Sequence, residues 1–160
     1  MKAAKSSKPS ALRRRKIDLG ILPDLVGYHL RKAQVAVFLD FARSLEGLDI
    51  RPGQFGVLIL IDGNPGLNQS ELGEAMGVDR STVVAVIDRL EERGLVARRP
   101  APNDRRSYAL ELTVAGRNLL ARLRPLVTAH EARLAAGLGA SEKQQIIDLL
   151  RHIAGNFGMP

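Results

Sequence analysis

Asn68-Gln69-Ser70-Glu71-Leu72-Gly73-Glu74-Ala75-Met76-Gly77-Val78-Asp79-Arg80-Ser81-Thr82-Val83-Val84 is the stretch on which the fold turns. One of the polar residues Asn68, Gln69 or Ser70 starts a short helix, Gly77 terminates it, and Asp79 is a good N-cap for a second. That second helix runs to Arg93, with Gly94 as its stop. Leu95 to Arg99 and Ser107 to Leu112 then read as strands, joined by the turn residues Ala101-Pro102-Asn103-Asp104. In the second strand Tyr108, Leu110 and Leu112 alternate with Ala109 and Glu111, the pattern of a half-buried ribbon. Short helix, glycine turn, capped helix and hairpin are the layout of a winged helix-turn-helix, which lays one helix in the DNA major groove. The fold class expected is mainly α with a small β-hairpin wing.

Upstream, Leu22, Val26, Leu30, Ala33, Val37, Phe41 and Leu45 recur in steps of three and four, predicting one continuous helix of about six turns. Gly47 closes it. Pro52 opens a further helix through Phe55, Leu58 and Ile59, with Ile61 left open, and Gly63-Asn64-Pro65-Gly66 ends it. Downstream, Thr113 begins a long helix with Leu119, Leu120, Leu123, Leu126, Val127 and Leu134, in which Pro125 predicts a kink. Gly137 and Gly139 break it, and Ser141 with Glu142 starts a last helix carrying Ile146, Ile147, Leu149, Leu150 and Ile153. Those five are too many for one buried stripe on a short end segment and leave an exposed patch unless a partner covers it.

The net charge of +7 is misleading until divided. Seven of the 24 basic residues lie within residues 1–16, which hold no acid; the other 17 match the chain's 17 acidic residues. Residues 1–16 therefore read as a disordered basic arm able to touch phosphates, and local clustering has to carry any case for DNA. Zero cysteines exclude disulfides, thiolate metal sites and thiol redox sensing. No apolar run reaches the ~18 residues of a membrane span, and the first 16 residues lack a secretory apolar core, so the expected location is cytoplasmic. His29, His130 and His152 have no metal-ligand spacing. The chain has no phosphate-binding glycine motif and no nucleophile elbow, so no enzymatic activity, metal or cofactor is expected.

On the helix after Asp79, Val83, Val86 or Ile87, and Leu90 form the inward stripe, leaving positions 80, 81, 84, 85 and 88 outward. Arg80 can grip guanine O6 and N7, the Ser81 and Thr82 hydroxyls can serve several bases, and Val84 suits a thymine methyl. Arg89 further along adds a cation. In the hairpin, Arg98, Arg99, Arg105 and Arg106 face a single acid, Asp104. Paired cations at both ends of a short turn can straddle a phosphate backbone. Each of these features alone is as readily a solvated polar surface; in this order they point to DNA.

Residues 52 to 120 resemble the MarR family of bacterial transcription regulators, with Asn103-Asp104-Arg105-Arg106 matching the family's wing tip. The resemblance implies that Asp104 shapes the tip while Arg105 or Arg106 inserts. It implies a single domain over residues 17–160, with the DNA-binding lobe at 52–112 and dimerisation helices at 17–47 and 113–157. A homodimer of that kind sets two recognition helices on a pseudo-palindromic operator. One departure is that Val84-Ala85 stand where many relatives carry polar or basic side chains. The family's effector pocket lies between the dimerisation helices and the DNA-binding lobe and takes aromatic anions. Gly27-Tyr28-His29-Leu30-Arg31-Lys32-Ala33-Gln34 is similar to the branch that controls aromatic-acid catabolism, some members of which sense aryl-coenzyme A thioesters. The effector candidates are Tyr28, His29, Arg31, Lys32 and Phe38. The expected function is a repressor released from double-stranded DNA by a small aromatic acid or its thioester. The alternative is a constitutive architectural nucleic-acid binder driven by the basic arm.

Overall fold

The computed structural model describes residues 17–101 and 104–159; the side chains of 101–107 are outside that description. The expectations placed on residues 1–16 and on the side chains of Asp104, Arg105 and Arg106 lie outside the described residues. By its contacts the chain divides into two units, one ending at Gln34 and the other beginning at Val35.

In the first unit an isolated 3-10 turn, Leu22–Asp24, precedes helix α1 (Val26–Ser44), which continues into the second. The continuous helix predicted from Leu22 is therefore broken, at an extended Leu25 (φ −96°, ψ 123°). At the break His29 Nε2 lies 2.8 Å from the Pro23 carbonyl oxygen, the acceptor that a helical N–H four residues on would use. Ile17, Leu19, Ile21, Leu22, Leu25 and Val26 are all exposed.

The second unit holds α2 (Pro52–Gly63), α3 (Gln69–Met76), α4 (Arg80–Glu92), strands β1 (Val96–Ala101) and β2 (Asp104–Leu112), α5 (Val114–Leu134) and α6 (Ala140–Gly155). Its core joins Val57, Leu58 and Ile61 of α2 to Leu72 of α3, Ile87 and Leu90 of α4, Leu110 of β2 and Leu120 and Leu123 of α5. Phe41 and Leu45, at the end of α1, close one side of it. Each such aliphatic side chain taken from water contributes roughly 1.5–3 kcal/mol. Arg93, the C-cap of α4, donates to the carbonyls of Asp49 (2.5 Å) and Leu48 (3.1 Å), tying α4 to the α1–α2 connection.

The hairpin is antiparallel, with Val96 opposite Leu112, Arg98 opposite Leu110 and Pro100 opposite Tyr108. It is longer than predicted at both strands. Leu67 and Asn68 add a short third edge, the Leu110 N–H donating to the Leu67 carbonyl at 2.8 Å. That edge corrects the expected alternation: Ala109 is buried beneath it, and Tyr108 is 54% exposed.

Thr113 fixes the start of α5 twice over, accepting the Gly116 N–H (3.0 Å) and donating to the Gly94 carbonyl (2.6 Å). A Cβ at Gly116 would collide with the Leu95 carbonyl, so only glycine lets α5 cross this close. Pro125 sits inside α5, which stays one helix through it. α6 has no buried residue.

Candidate nucleic-acid interface

Two caps and one glycine set the angle between α3 and α4. The Asn68 side chain accepts the Ser70 (2.9 Å) and Glu71 (3.0 Å) N–H groups, and the Glu71 carboxylate accepts the Asn68 N–H (2.9 Å) in return. This reciprocal box starts α3. Gly77 ends it at φ 61°, the left-handed region that costs glycine nothing. Asp79 then starts α4, accepting the Thr82 N–H at 2.9 Å, the Thr82 hydroxyl at 2.8 Å and the Ser81 hydroxyl. The Ser81 hydroxyl, the Thr82 N–H and the Thr82 hydroxyl hold the Asp79 carboxyl well below the usual carboxylate range. It is ionised wherever duplex DNA exists.

Val83, Ile87 and Leu90 are at most 2% exposed and anchor the inner side of α4. At 100° per residue, Ser81 and Ala85 point directly away from that anchor. Arg80, Ser81 and Thr82 are exposed together at the head of the helix. No salt bridge or side-chain hydrogen bond engages Arg80 among the described residues. An open cleft of about 810 Å³ puts Arg80 on the same surface as Ser70 of α3. Val84 is half-buried, so its methyls are less available than the sequence pattern implied. Arg89 lies nine residues past Arg80, about 13 Å along the axis, in a small polar cleft with Arg51, Glu92 and Arg93. The structure does not bring it to the Arg80 end.

Arg98 differs most from expectation. A phosphate contact needs an available guanidinium, and this one is engaged inside the chain. It donates to Asp88 of α4 at 2.6 Å and to Glu91 of α4. The Gln69 amide oxygen, oriented by its donors, accepts from Nε (3.0 Å) and Nη2 (2.8 Å). The Arg98 backbone N–H donates to the Glu91 carboxylate at 3.2 Å. Burial pulls its pKa down, but the hydrogen bonds and charges of Asp88 and Glu91 outweigh that and raise it. Arg98 is a three-way brace between wing, α4 and α3. The sequence suggests Gln69 only as a possible helix start and position 88 only as an outward-facing one, and neither these nor Glu91 stands out as a partner of Arg98. Strand alternation held the signal, because Arg98 shares a face with Val96, which is 2% exposed. Arg99 points the other way, its side chain 65% exposed and 3.8 Å from Glu111.

Of the effector candidates, Tyr28 is half-buried with the Lys32 ammonium 5.3 Å from its ring centre, and His29 packs on it edge to face at 5.4 Å. Arg31 reaches Gln34 at 3.0 Å. Tyr28, His29 and Lys32 thus form one small cationic-aromatic group on α1. Phe38, in the second unit, is 48% exposed.

A model of the MarR family matches residues 47–107. The chain is 41% identical over 135 residues to a putative transcriptional regulatory protein for the hcr operon of Thauera aromatica, covering 84% of this chain and 81% of that one. It is similar to the solved transcriptional repressor CouR bound to a 23-mer DNA duplex: 42% identity, TM-score 0.81, 88% of this chain and 99% of that one. CouR bound to p-coumaroyl-CoA gives 40% identity and TM-score 0.80, over 87% of this chain and 98% of that one. The PcaV regulator of Streptomyces coelicolor, solved with its natural ligand, is 31% identical with TM-score 0.78, over 88% and 97%.

Proposed function

The chain belongs to the MarR family, and on that premise we propose that it is a dimeric repressor released from its operator by an aromatic acid or its coenzyme A thioester. The observation that carries the DNA half is α4: a helix locked to the core by Val83, Ile87 and Leu90 that holds Arg80, Ser81 and Thr82 out at one end beside a braced hairpin. Arg80 reads a guanine, Ser81 and Thr82 supplement it, Arg99 holds the backbone, and Arg105 or Arg106 inserts at the wing tip. Arg98 positions the wing. Two copies are required, since α6 leaves Ile146, Leu149 and Leu150 between 44% and 63% exposed, and a two-fold pair presents two α4 helices to one operator. Residues 17–47 and 113–157 serve that pairing. The chain carries out no chemistry and works in the cytoplasm, where its operator is.

The effector half is supported by the relatives solved with p-coumaroyl-CoA and with a natural ligand, together with the Tyr28–His29–Lys32 group. A ring stacks on aromatic faces, and thioester phosphates need cations such as Arg31 and Lys32. Release needs only differential affinity. A 100-fold preference of the ligand for the non-binding state corresponds to about 2.7 kcal/mol.

The test is a titration of the full chain against the promoter region of its own locus and a scrambled duplex, with and without p-coumaroyl-CoA, free p-coumarate and an unrelated acyl-CoA. The expected result is a preference of at least ~10³ for the promoter, lost with one of the two aromatic ligands only. Arg80→Ala should cost roughly 1–3 kcal/mol and relax the sequence preference. Equal affinity for both duplexes overturns the DNA reading, and aromatic ligands without effect overturn the effector reading alone.

A further inference from the structure

The protons of two hydroxyls at the head of α4 are already committed. Ser81 Oγ–H donates to Asp79 Oδ1, and Thr82 Oγ1–H donates to Asp79 Oδ2 at 2.8 Å. A hydroxyl has one proton and two lone pairs. One that donates to a carboxylate has only acceptor capacity left for any other partner. In the major groove the donors are few: cytosine offers its N4 amino group and adenine its N6 amino group. Guanine O6 and N7, adenine N7 and thymine O4 are all acceptors.

We propose that Asp79 is a specificity-determining residue of this helix: by holding the Ser81 proton it turns Ser81 into an acceptor-only reader that selects a cytosine or adenine amino group. Thr82, on the flank of the same surface, is fixed in the same sense. The inference rests on the reading of α4 as the recognition helix. Its geometric basis is the direction of Ser81, opposite the buried Val83–Ile87–Leu90 side and exposed. Its energetic basis is the charge on the acceptor. To donate to a neutral base oxygen, Ser81 must give up a hydrogen bond to an ionised group, about twice as strong as one between neutral partners. Asp79 stays ionised because Ser81 and Thr82 hold it so.

Arg80, one residue earlier, has the opposite polarity. A guanidinium has five donors and no acceptor, so it reads guanine O6 and N7. The head of α4 therefore carries a donor-only residue next to an acceptor-only one. A half-site should hold a guanine and, close by, a base whose amino group is indispensable.

The experiment is an analogue scan of the operator with the full-length protein. Each cytosine is replaced in turn by 2-pyrimidinone and each adenine by purine, which removes only the amino group. Separately, purines are replaced by their 7-deaza forms, which removes only the N7 acceptor. Wild type and Ser81→Ala are titrated against every duplex. The expected result is one position per half-site at which loss of the amino group weakens wild type about tenfold, on the scale of one hydrogen bond, and leaves Ser81→Ala unchanged. Asp79→Asn keeps a capping oxygen and frees a proton, so it should tolerate an acceptor base at that position. A Ser81-dependent loss with a 7-deaza purine, or no Ser81-dependent amino group, overturns the inference while operator binding stands. Failure of wild type to prefer any operator overturns the regulator reading itself.

Discussion

Helices α4 and α6 are both amphipathic and of similar length, and they have opposite fates. In α4, Val83, Ile87 and Leu90 are at most 2% exposed, each met by another element of the same chain. In α6, Ile146, Leu149 and Leu150 stand between 44% and 63% exposed and nothing is buried. The difference lies in neighbours, not in composition. α4 is wedged among α3, the hairpin and the core, whereas among the described residues α6 buries none of its apolar side chains, Ile147 and Ile153 being only partly covered. One helix is finished by folding; the other, on our reading, is finished only by assembly.

The sharpest way to break that contrast is to remove a methyl-rich anchor from each. Leu90→Ala should destabilise the chain by about 2–5 kcal/mol, the range for a fully buried leucine, read as a drop in the thermal midpoint at any protein concentration. Leu149→Glu should leave single-chain stability within about 0.5 kcal/mol, as surface changes do. It should instead weaken dimerisation by about 2 kcal/mol or more if Leu149 is central to the interface. Sedimentation equilibrium over a range of concentrations separates the two. A wild type that is monomeric throughout, or a Leu149→Glu chain that is unfolded, would erase the distinction.

What could be read from the sequence divides along the same line. The cap at Asp79, the stops at Gly77 and Gly94 and the start at Pro52 are legible because each is decided by residues within one turn, while the start of α3 is narrowed only to Asn68, Gln69 or Ser70. The break at Leu25 is local too, but neither the extended Leu25 nor the reach of His29 to the Pro23 carbonyl is revealed by the spacing of apolar residues. The burial of Ala109 was not legible, because its cause is a strand edge more than 40 residues earlier. The inward turn of Arg98 is legible in principle, because period two places it beside Val96, on the side facing α4, but a count of charges hides it. The sequence marks Asp79 as a cap, but its second role as acceptor for two side-chain hydroxyls depends on the rotamers of Ser81 and Thr82 in the first turn.

Within the hairpin, Arg98 and Arg99 repeat the contrast at the scale of neighbours, one turned in and one turned out. Both Arg98→Met and Arg99→Ala remove one positive charge. Arg98→Met should lower operator affinity about tenfold by releasing the wing from Asp88 and Glu91, while the salt dependence keeps its slope. Arg99→Ala should reduce the slope of log K against log salt by about 0.9, the signature of one lost phosphate contact. Titrations at four salt concentrations decide it. If Arg98→Met flattens the slope and Arg99→Ala does not, the brace is in fact a phosphate contact.

The smallest effect concerns the polar seam that anchors the end of α1 to α5, a part of the fold otherwise rich in exposed apolar residues. Asp40 accepts from Arg133 at 2.9 Å and from His130 Nδ1 at 2.6 Å. A carboxylate offers no proton, so Nδ1 carries the hydrogen, and the ring is 2% exposed with its edge on Phe41 at 5.4 Å. The hydrogen bond from Arg133, then that from His130, lower the Asp40 pKa from 3.8 to about 2, against a small opposing cost of burial. A folded pKa below the unfolded one means that folding favours the ionised form. The stabilisation is complete above about pH 4 and is lost as pH falls through about 2. Asp40→Asn cannot ionise and should lack that part of the acid slope. Thermal midpoints measured between pH 2 and 6 should therefore run parallel for the two proteins above pH 4.5 and converge below it. Curves that stay parallel down to pH 2 would show that the seam does not contribute to stability, and that the end of α1 is held by Phe41 and Leu45 alone.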